Sequence, residues 1–67
     1  MIKVDSLPEG FREYSNVYNE DVWRTSQGAY LMRRIYLRYN RAYGLKPEDV
    51  VVYFRDGWWR MGFKERS

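Results

Sequence analysis

The sequence predicts an α+β fold in which one long helix packs on a small antiparallel sheet built around a C-terminal β-hairpin. An Asp-Gly pair lies between two runs of β-branched and aromatic residues, 50–54 and 58–63, which is a strong hairpin signal. Between residues 28 and 42, apolar residues recur at spacings of three and four, the pattern of an amphipathic helix. The 67 residues leave room for one small domain, spanning 1–67.

The N-terminal part of the chain carries weaker signals. Ile2–Val4 alternates apolar and charged residues and is the candidate for a third strand, because a two-stranded hairpin is only marginally stable alone. Residues 7–14 are predicted to form a turn or a short helix, since Ser-Leu-Pro-Glu at 6–9 fits a helix start but Gly10 opposes it. Residues 15–20 are predicted to form a loop.

The central helix is predicted to begin after Asn19 or after Thr25, both good N-caps, and to end at Tyr43. Gly44 then supplies the left-handed residue that commonly terminates a helix. Gly28 is unfavourable inside a helix, which predicts a close crossing of backbones at that position. The stripe expected to face the sheet comprises Gly28, Leu31, Met32, Ile35, Tyr39 and Ala42.

The hairpin turn fixes the expected pairing of the two C-terminal strands. With Asp56-Gly57 as the loop, Phe54 lies opposite Trp59, and the same register continues along the ribbon. One face is then entirely apolar and should pack on the helix: Val50, Val52, Phe54, Trp59, Met61 and Phe63. The other face is expected to remain available to a partner: Val51, Tyr53, Arg55, Trp58, Arg60 and Gly62.

The composition argues against enzymatic chemistry. The chain has no Cys and no His, so it lacks disulfides, the usual zinc ligands, the commonest general base and the commonest soft nucleophile. The adjacent acids at 20–21 and 48–49 lie where a helix or turn begins, a position that favours carboxylates in any case. We therefore expect a non-enzymatic protein without metal or cofactor. No apolar run reaches the length of a membrane span, and a cytoplasmic location is expected.

Arginines indicate an anionic partner, and nucleic acid is the first hypothesis. Residues 22–47 contain no acid, and the arginines of the predicted helix cluster on one side, where they could hold phosphates: Arg33, Arg34, Arg38 and Arg41. A second contact would come from the alternating rings and cations of the hairpin: Tyr53, Arg55, Trp58 and Arg60. Two alternatives involve no ligand. The helix arginines could be solvated or paired with Glu9, Glu13, Glu48 or Asp49, and the hairpin rings could form cross-strand cation–π pairs, Tyr53 with Arg60 and Trp58 with Arg55.

A protein partner is the second hypothesis. Trp, Tyr and Arg are enriched at the energetic centres of protein interfaces, and Tyr30 and Leu37 are expected beside the helix arginines on the solvent side. By analogy of size and composition with the many small proteins that bacteriophages encode, the chain would be an inhibitor or adaptor that binds an acidic groove of a larger host protein. A homodimer and a structural subunit without a free-standing role are further options.

Overall fold

The computed structural model describes residues 3–14 and 20–65. In chain order, the regular elements are strand β1 (Phe11–Glu13), helix α1 (Ser26–Asn40), strand β2 (Val50–Arg55) and strand β3 (Trp58–Lys64). Short 3-10 helices occupy Glu20–Arg24, Arg41–Tyr43 and Pro47–Asp49. The helix packs on a three-stranded antiparallel sheet of order β1-β3-β2, so the predicted α+β class is confirmed. Among the described residues, no helix has both the length and the apolar character that crossing a bilayer requires.

The C-terminal hairpin forms in the predicted register. Asp56 and Gly57 have φ angles of 53° and 82°, the left-handed values that a type I′ turn requires at both positions. The apolar face pairs as expected, with Phe54 opposite Trp59, Val52 opposite Met61 and Val50 opposite Phe63. Each strand runs one residue beyond its predicted end, β2 to Arg55 and β3 to Lys64.

The third strand of the sheet is not the segment that the sequence predicted. Phe11–Glu13 pairs with β3, which makes β3 the central strand and corrects the expectation of a turn or short helix there. Ile2 lies outside the described residues. Lys3 forms an isolated parallel bridge to Val52, whose carbonyl accepts a hydrogen bond from the Val4 amide at 2.9 Å. The N-terminal segment therefore touches the outer edge of β2 and then crosses to the opposite edge of the sheet.

Helix α1 begins at the second of the two predicted caps. The Thr25 hydroxyl accepts a hydrogen bond from the Gly28 amide at 3.2 Å. Asn19 and the rest of 15–19, where a loop was predicted, lie outside the described residues. At the other end, a 3-10 turn continues α1 to Tyr43, and Gly44 has the predicted left-handed conformation, with φ 81°. A methyl group at Gly28 would overlap the backbone carbonyl of the preceding 3-10 helix, so the predicted close crossing is confirmed.

The face of α1 that packs on the sheet differs from the predicted stripe. Leu31, Ile35 and Tyr39, which the periodicity placed inside, are exposed. The inner face is formed instead by Ala29, Met32, Arg33, Tyr36 and Leu37. Arginine and tyrosine have apolar bodies and polar tips, so such a face can bury much apolar area while its polar atoms find partners. A hydrophobicity pattern does not predict the burial of such a face, because it counts arginine as polar.

The second face of the hairpin, predicted to await a partner, is largely interior. Val51 and Tyr53 are as buried as the residues beneath the helix. Leu7 of the N-terminal segment lies over Gly62, where a side chain on the glycine would overlap it. The unbroken apolar run at 50–54 was the available signal, because uninterrupted hydrophobic strands are typical of sheets covered on both sides.

Candidate functional site

The hairpin arginines converge on a single carboxylate supplied by β1. Glu13 lies opposite Gly62 on the central strand. Glu13 Oε1 accepts hydrogen bonds from the Tyr53 hydroxyl at 2.5 Å and from Arg55 Nη2 and Arg60 Nη1, each at 3.2 Å. These four residues are named the Glu13 cluster below.

Electrostatics in the Glu13 cluster favour an ionised carboxylate beside a neutral phenol. Burial alone would raise the pKa of Glu13, but hydrogen bonds from Tyr53 and Arg60, with the charges of Arg55 and Arg60, hold that pKa below its ordinary value. Burial raises the pKa of Tyr53, and the hydrogen bond to Glu13 and the charge of Glu13 raise it further. The cluster thus ties β1 to the hairpin through charge-assisted hydrogen bonds.

The hairpin residues predicted to bind a partner are therefore engaged within the chain. Tyr53 is fully buried, and Arg55 and Arg60 both form ion pairs with Glu13. The expected cross-strand cation–π pairs are not those found: the Arg55 guanidinium lies 5.9 Å from the Tyr53 ring. Trp58 is half-buried, packs against the core and has the Arg24 guanidinium 5.4 Å from its ring.

Arg33 does not face solvent, which corrects its predicted place among the outward-facing arginines of the helix. Only 8% of its surface is exposed, and its Nε donates to the Val50 carbonyl at 2.8 Å. Its Nη2 donates to the Pro47 carbonyl. Burial lowers the pKa of the guanidinium. Arg33 thus joins the helix to the start of β2 through hydrogen bonds to two backbone carbonyls.

The other three helix arginines lie on the solvent side as predicted. Arg34, Arg38 and Arg41 are exposed, at positions i, i+4 and i+7 of one helical side. In the part of the chain that the structure describes, no carboxylate forms an ion pair with any of them. This group is named the arginine row.

An exposed apolar ridge runs beside the arginine row. It consists of Leu31, Ile35 and Tyr39, spaced four residues apart, and it is named the outward ridge. Leu31 is 54% exposed and Tyr39 is 76% exposed. Tyr43, 69% exposed, follows one turn later, so the apolar surface extends about 18 Å along the helix axis at 1.5 Å per residue.

The two secondary residues predicted beside the arginines have different environments. Tyr30 is exposed and lies on the same side as the arginine row. Leu37 is half-buried and packs against the core, which corrects its predicted position on the solvent side. Sequence reasoning missed the outward ridge as a surface because it assigned those same apolar residues to the core.

Helix α1 and its flanking segments carry a net positive charge, whereas the rest of the chain carries a net negative charge. Residues 22–47 contain six basic and no acidic residues, which leaves six basic and nine acidic residues elsewhere. The net charge of +3 is thus the sum of +6 and −3. Arg33 is buried and Glu13 pairs with both hairpin arginines, so the arginine row is the group of exposed helix cations that the described carboxylates leave unpaired.

A smaller aromatic pair, of which Phe54 is exposed and Trp59 half-buried, lies at the turn end of the sheet. Phe54 is 50% exposed, although it was predicted to pack beneath the helix, and its ring meets Trp59 edge-on at 5.4 Å. The Lys3 ammonium lies 5.8 Å from the Trp59 ring. Helix α1 leaves Phe54 half uncovered because this residue lies beside the turn, at the end of β2.

Comparison of the chain with protein-family models, with curated proteins and with solved structures found no match to any of them.

Proposed function

We propose that this chain is a non-enzymatic binding protein that docks on an acidic surface of another protein through the outward side of α1. The contact surface would be the outward ridge together with the arginine row. The observation that carries the proposal is the exposure of Leu31 and Tyr39 directly beside Arg34 and Arg38, which have no ion pair among the described residues.

Exposed aliphatic residues in line on a helix favour a protein partner. A single exposed leucine is ordinary, but aligned apolar side chains rimmed by charge are typical of protein interaction sites. Leu31 and Ile35 together gain more from contact with apolar side chains than from contact with a phosphate backbone. Tyrosine and arginine, which flank them, are the residue types enriched at interface centres.

Nucleic acid, the first hypothesis from the sequence, is the second candidate here, and the arginine row is the observation that favours it. With Arg33 buried and the hairpin arginines engaged, three helix cations are left for phosphates. Three neutralised phosphates predict that log K falls by about 2.7 per unit of log salt on duplex DNA and by about 2.1 on single strands. A slope near 4.5 on duplex DNA would correspond to about five phosphates, as expected if Arg55 and Arg60 acted together with the arginine row, and it would contradict the internal pairing.

A pull-down from lysate, with and without nuclease treatment, separates the two candidates. The bait is the full chain, and the test variant carries Leu31→Ser and Tyr39→Ser. The control variant carries Phe54→Ser, which alters an exposed apolar residue away from α1, and circular dichroism checks that both variants fold. We expect a protein that is retained after nuclease treatment, lost with the double variant and kept with the control.

Two outcomes would contradict docking through the outward ridge. Material retained only without nuclease treatment would support the nucleic-acid candidate. A protein captured equally by the parent chain and the double variant would show that α1 is not the contact surface.

A further inference from the structure

Building on the proposed function, we infer that the element recognised by the outward side of α1 is an acidic amphipathic helix of a different protein. The inference concerns the form and charge of the partner, and it can fail while docking through α1 stands. It rests on the spacing of the exposed residues, on the separation of charge and on the geometry of self-pairing.

The spacing of the exposed side chains matches what a second helix presents. Leu31, Ile35 and Tyr39 form a ridge of the i±4 type, and such ridges fit the grooves between the side-chain rows of another helix. The arginine row rises by about 6 Å and then about 4.5 Å along the axis, at 1.5 Å per residue. Carboxylates at positions i, i+4 and i+7 of a partner helix repeat at the same intervals.

Charge complementarity specifies acids on one flank of that helix. The arginine row borders the outward ridge on one side only, and no acidic residue occurs between 22 and 47. A partner helix therefore needs an apolar seam with glutamate or aspartate along one edge. Charged residues that flank such a seam commonly determine which helices pair.

A second copy of this chain meets these requirements poorly. Two α1 helices packed antiparallel about a two-fold axis would place both arginine rows on the same side of the interface, where they repel. A parallel pair would place one row on each side without a facing carboxylate, because α1 contains none. Neither symmetric arrangement neutralises the arginines, so the charge favours a partner of opposite sign.

The size of the surface indicates a transient contact. A standard interface buries about 800 Å² per partner. The chain exposes 5285 Å² in total, so that area would be about a seventh of its surface. A contact confined to roughly 18 Å of one helix covers less, and interfaces below the standard size are typical of weak, transient complexes.

The test measures binding of two matched peptides to the full chain. Each peptide has about 20 residues, long enough to form a helix, with a leucine and isoleucine seam. The acidic peptide carries glutamate at i, i+4 and i+7 on one flank, and the basic peptide carries lysine at the same positions. We expect the acidic peptide to bind at least about tenfold more tightly at low salt, since each exposed pair contributes modestly and the lysines repel.

Two variants of the chain show where the acidic peptide binds. The triple variant Arg34→Glu, Arg38→Glu and Arg41→Glu should reverse the order of the two affinities, and Leu31→Ser should weaken both. Equal affinities for the two peptides would overturn the inference. So would acidic-peptide binding that is unchanged in the triple variant, or dissociation constants above about 1 mM for both peptides.

The result is separable from that of the pull-down. If a protein is captured through Leu31 and Tyr39 but neither peptide binds, docking through α1 stands and the helical form of the partner is wrong. If sedimentation shows the chain pairing with itself through Leu31, the partner is a second copy and the inference also falls. A preference for duplex DNA over the acidic peptide that depends on the arginine row would overturn it in favour of nucleic acid.

Discussion

Removing the hydroxyl of Tyr53 should lower the free energy of unfolding by a measurable amount, although only one oxygen atom is lost. In Tyr53→Phe the ring can keep its place, because the substitution leaves the buried apolar body unchanged. The variant loses the hydrogen bond to Glu13 Oε1. Because Tyr53 is fully buried, water has little access to the position that its hydroxyl would leave beside Glu13.

The magnitude follows from the geometry of the Glu13 cluster. A hydrogen bond to a charged group contributes about 1.5–3 kcal/mol. The Glu13 side chain is 35% exposed and keeps both arginine partners, so the lower part of that range applies, about 1.5–2 kcal/mol. For a domain of this size the loss corresponds to a fall in Tm of about 6–16 °C.

Urea denaturation followed by tryptophan fluorescence measures the loss, since the chain has three tryptophans. The matched control is Tyr43→Phe, which removes the same atom from an exposed ring and should change the free energy of unfolding by less than about 0.5 kcal/mol. If Tyr53→Phe is no less stable than Tyr43→Phe, the hydrogen bond from Tyr53 to Glu13 does not hold β1 to the hairpin.

The same cluster makes stability depend on pH. Because the pKa of Glu13 in the folded chain lies below its ordinary value of 4.5, its contribution is present above that ordinary value. The contribution is lost as the pH falls through the folded-state pKa. The difference in free energy of unfolding between the parent chain and Glu13→Gln should therefore be largest near neutral pH and shrink as the pH falls below 4.5. A difference that stays constant from pH 7 to pH 3 would contradict an ionised Glu13 at the centre of the cluster.

Two further substitutions test the position of α1. Gly28→Ala should destabilise the chain by about 1–3 kcal/mol despite the better helix propensity of alanine, because the added methyl group overlaps the Val22 carbonyl. The control Gln27→Ala, at an exposed position of the same helix, should be neutral in the same denaturation assay. Arg33→Met should cost about 1–3 kcal/mol, because it removes the side-chain donor to the Val50 carbonyl and one of two donors to the Pro47 carbonyl, which also accepts the Val50 amide. Arg34→Met at an exposed site should change stability by less than about 0.5 kcal/mol. Equal stability of Arg33→Met and Arg34→Met would refute the buried position of Arg33.

The hairpin could be predicted because local chemistry determines it. Asp56 and Gly57 tolerate positive φ angles, and a two-residue loop fixes the register of every pair that follows. The helix ends were predictable for the same reason, since the Thr25 hydroxyl and the conformation of Gly44 act within a few residues. In each case the deciding interaction lies within the segment itself.

The orientation of α1 and the third strand depend on distant contacts that a local pattern does not contain. The inner face of the helix includes Arg33, whose burial is acceptable only because the Val50 carbonyl lies within 2.8 Å of its Nε. β1 consists of three residues, too few for alternation to be recognised. The role of Glu13 becomes visible only when β3 brings residues about 40 positions apart into one cluster.

One property of α1 explains why its orientation was predicted wrongly and also supports the proposed function. Two faces of α1 have apolar character: the aliphatic one, Leu31 with Ile35, and the mixed one that contains Tyr36 and Arg33. The sheet takes the mixed face, where polar tips of long side chains meet backbone carbonyls and the Tyr36 ring stacks with that of Phe63 at 5.7 Å. The aliphatic face is consequently left in water beside the arginine row, which pairs with no carboxylate among the described residues. A fold that buries its mixed helix face and exposes its aliphatic one retains free apolar area, and contact with an acidic protein surface would remove that area from water while neutralising the arginine row.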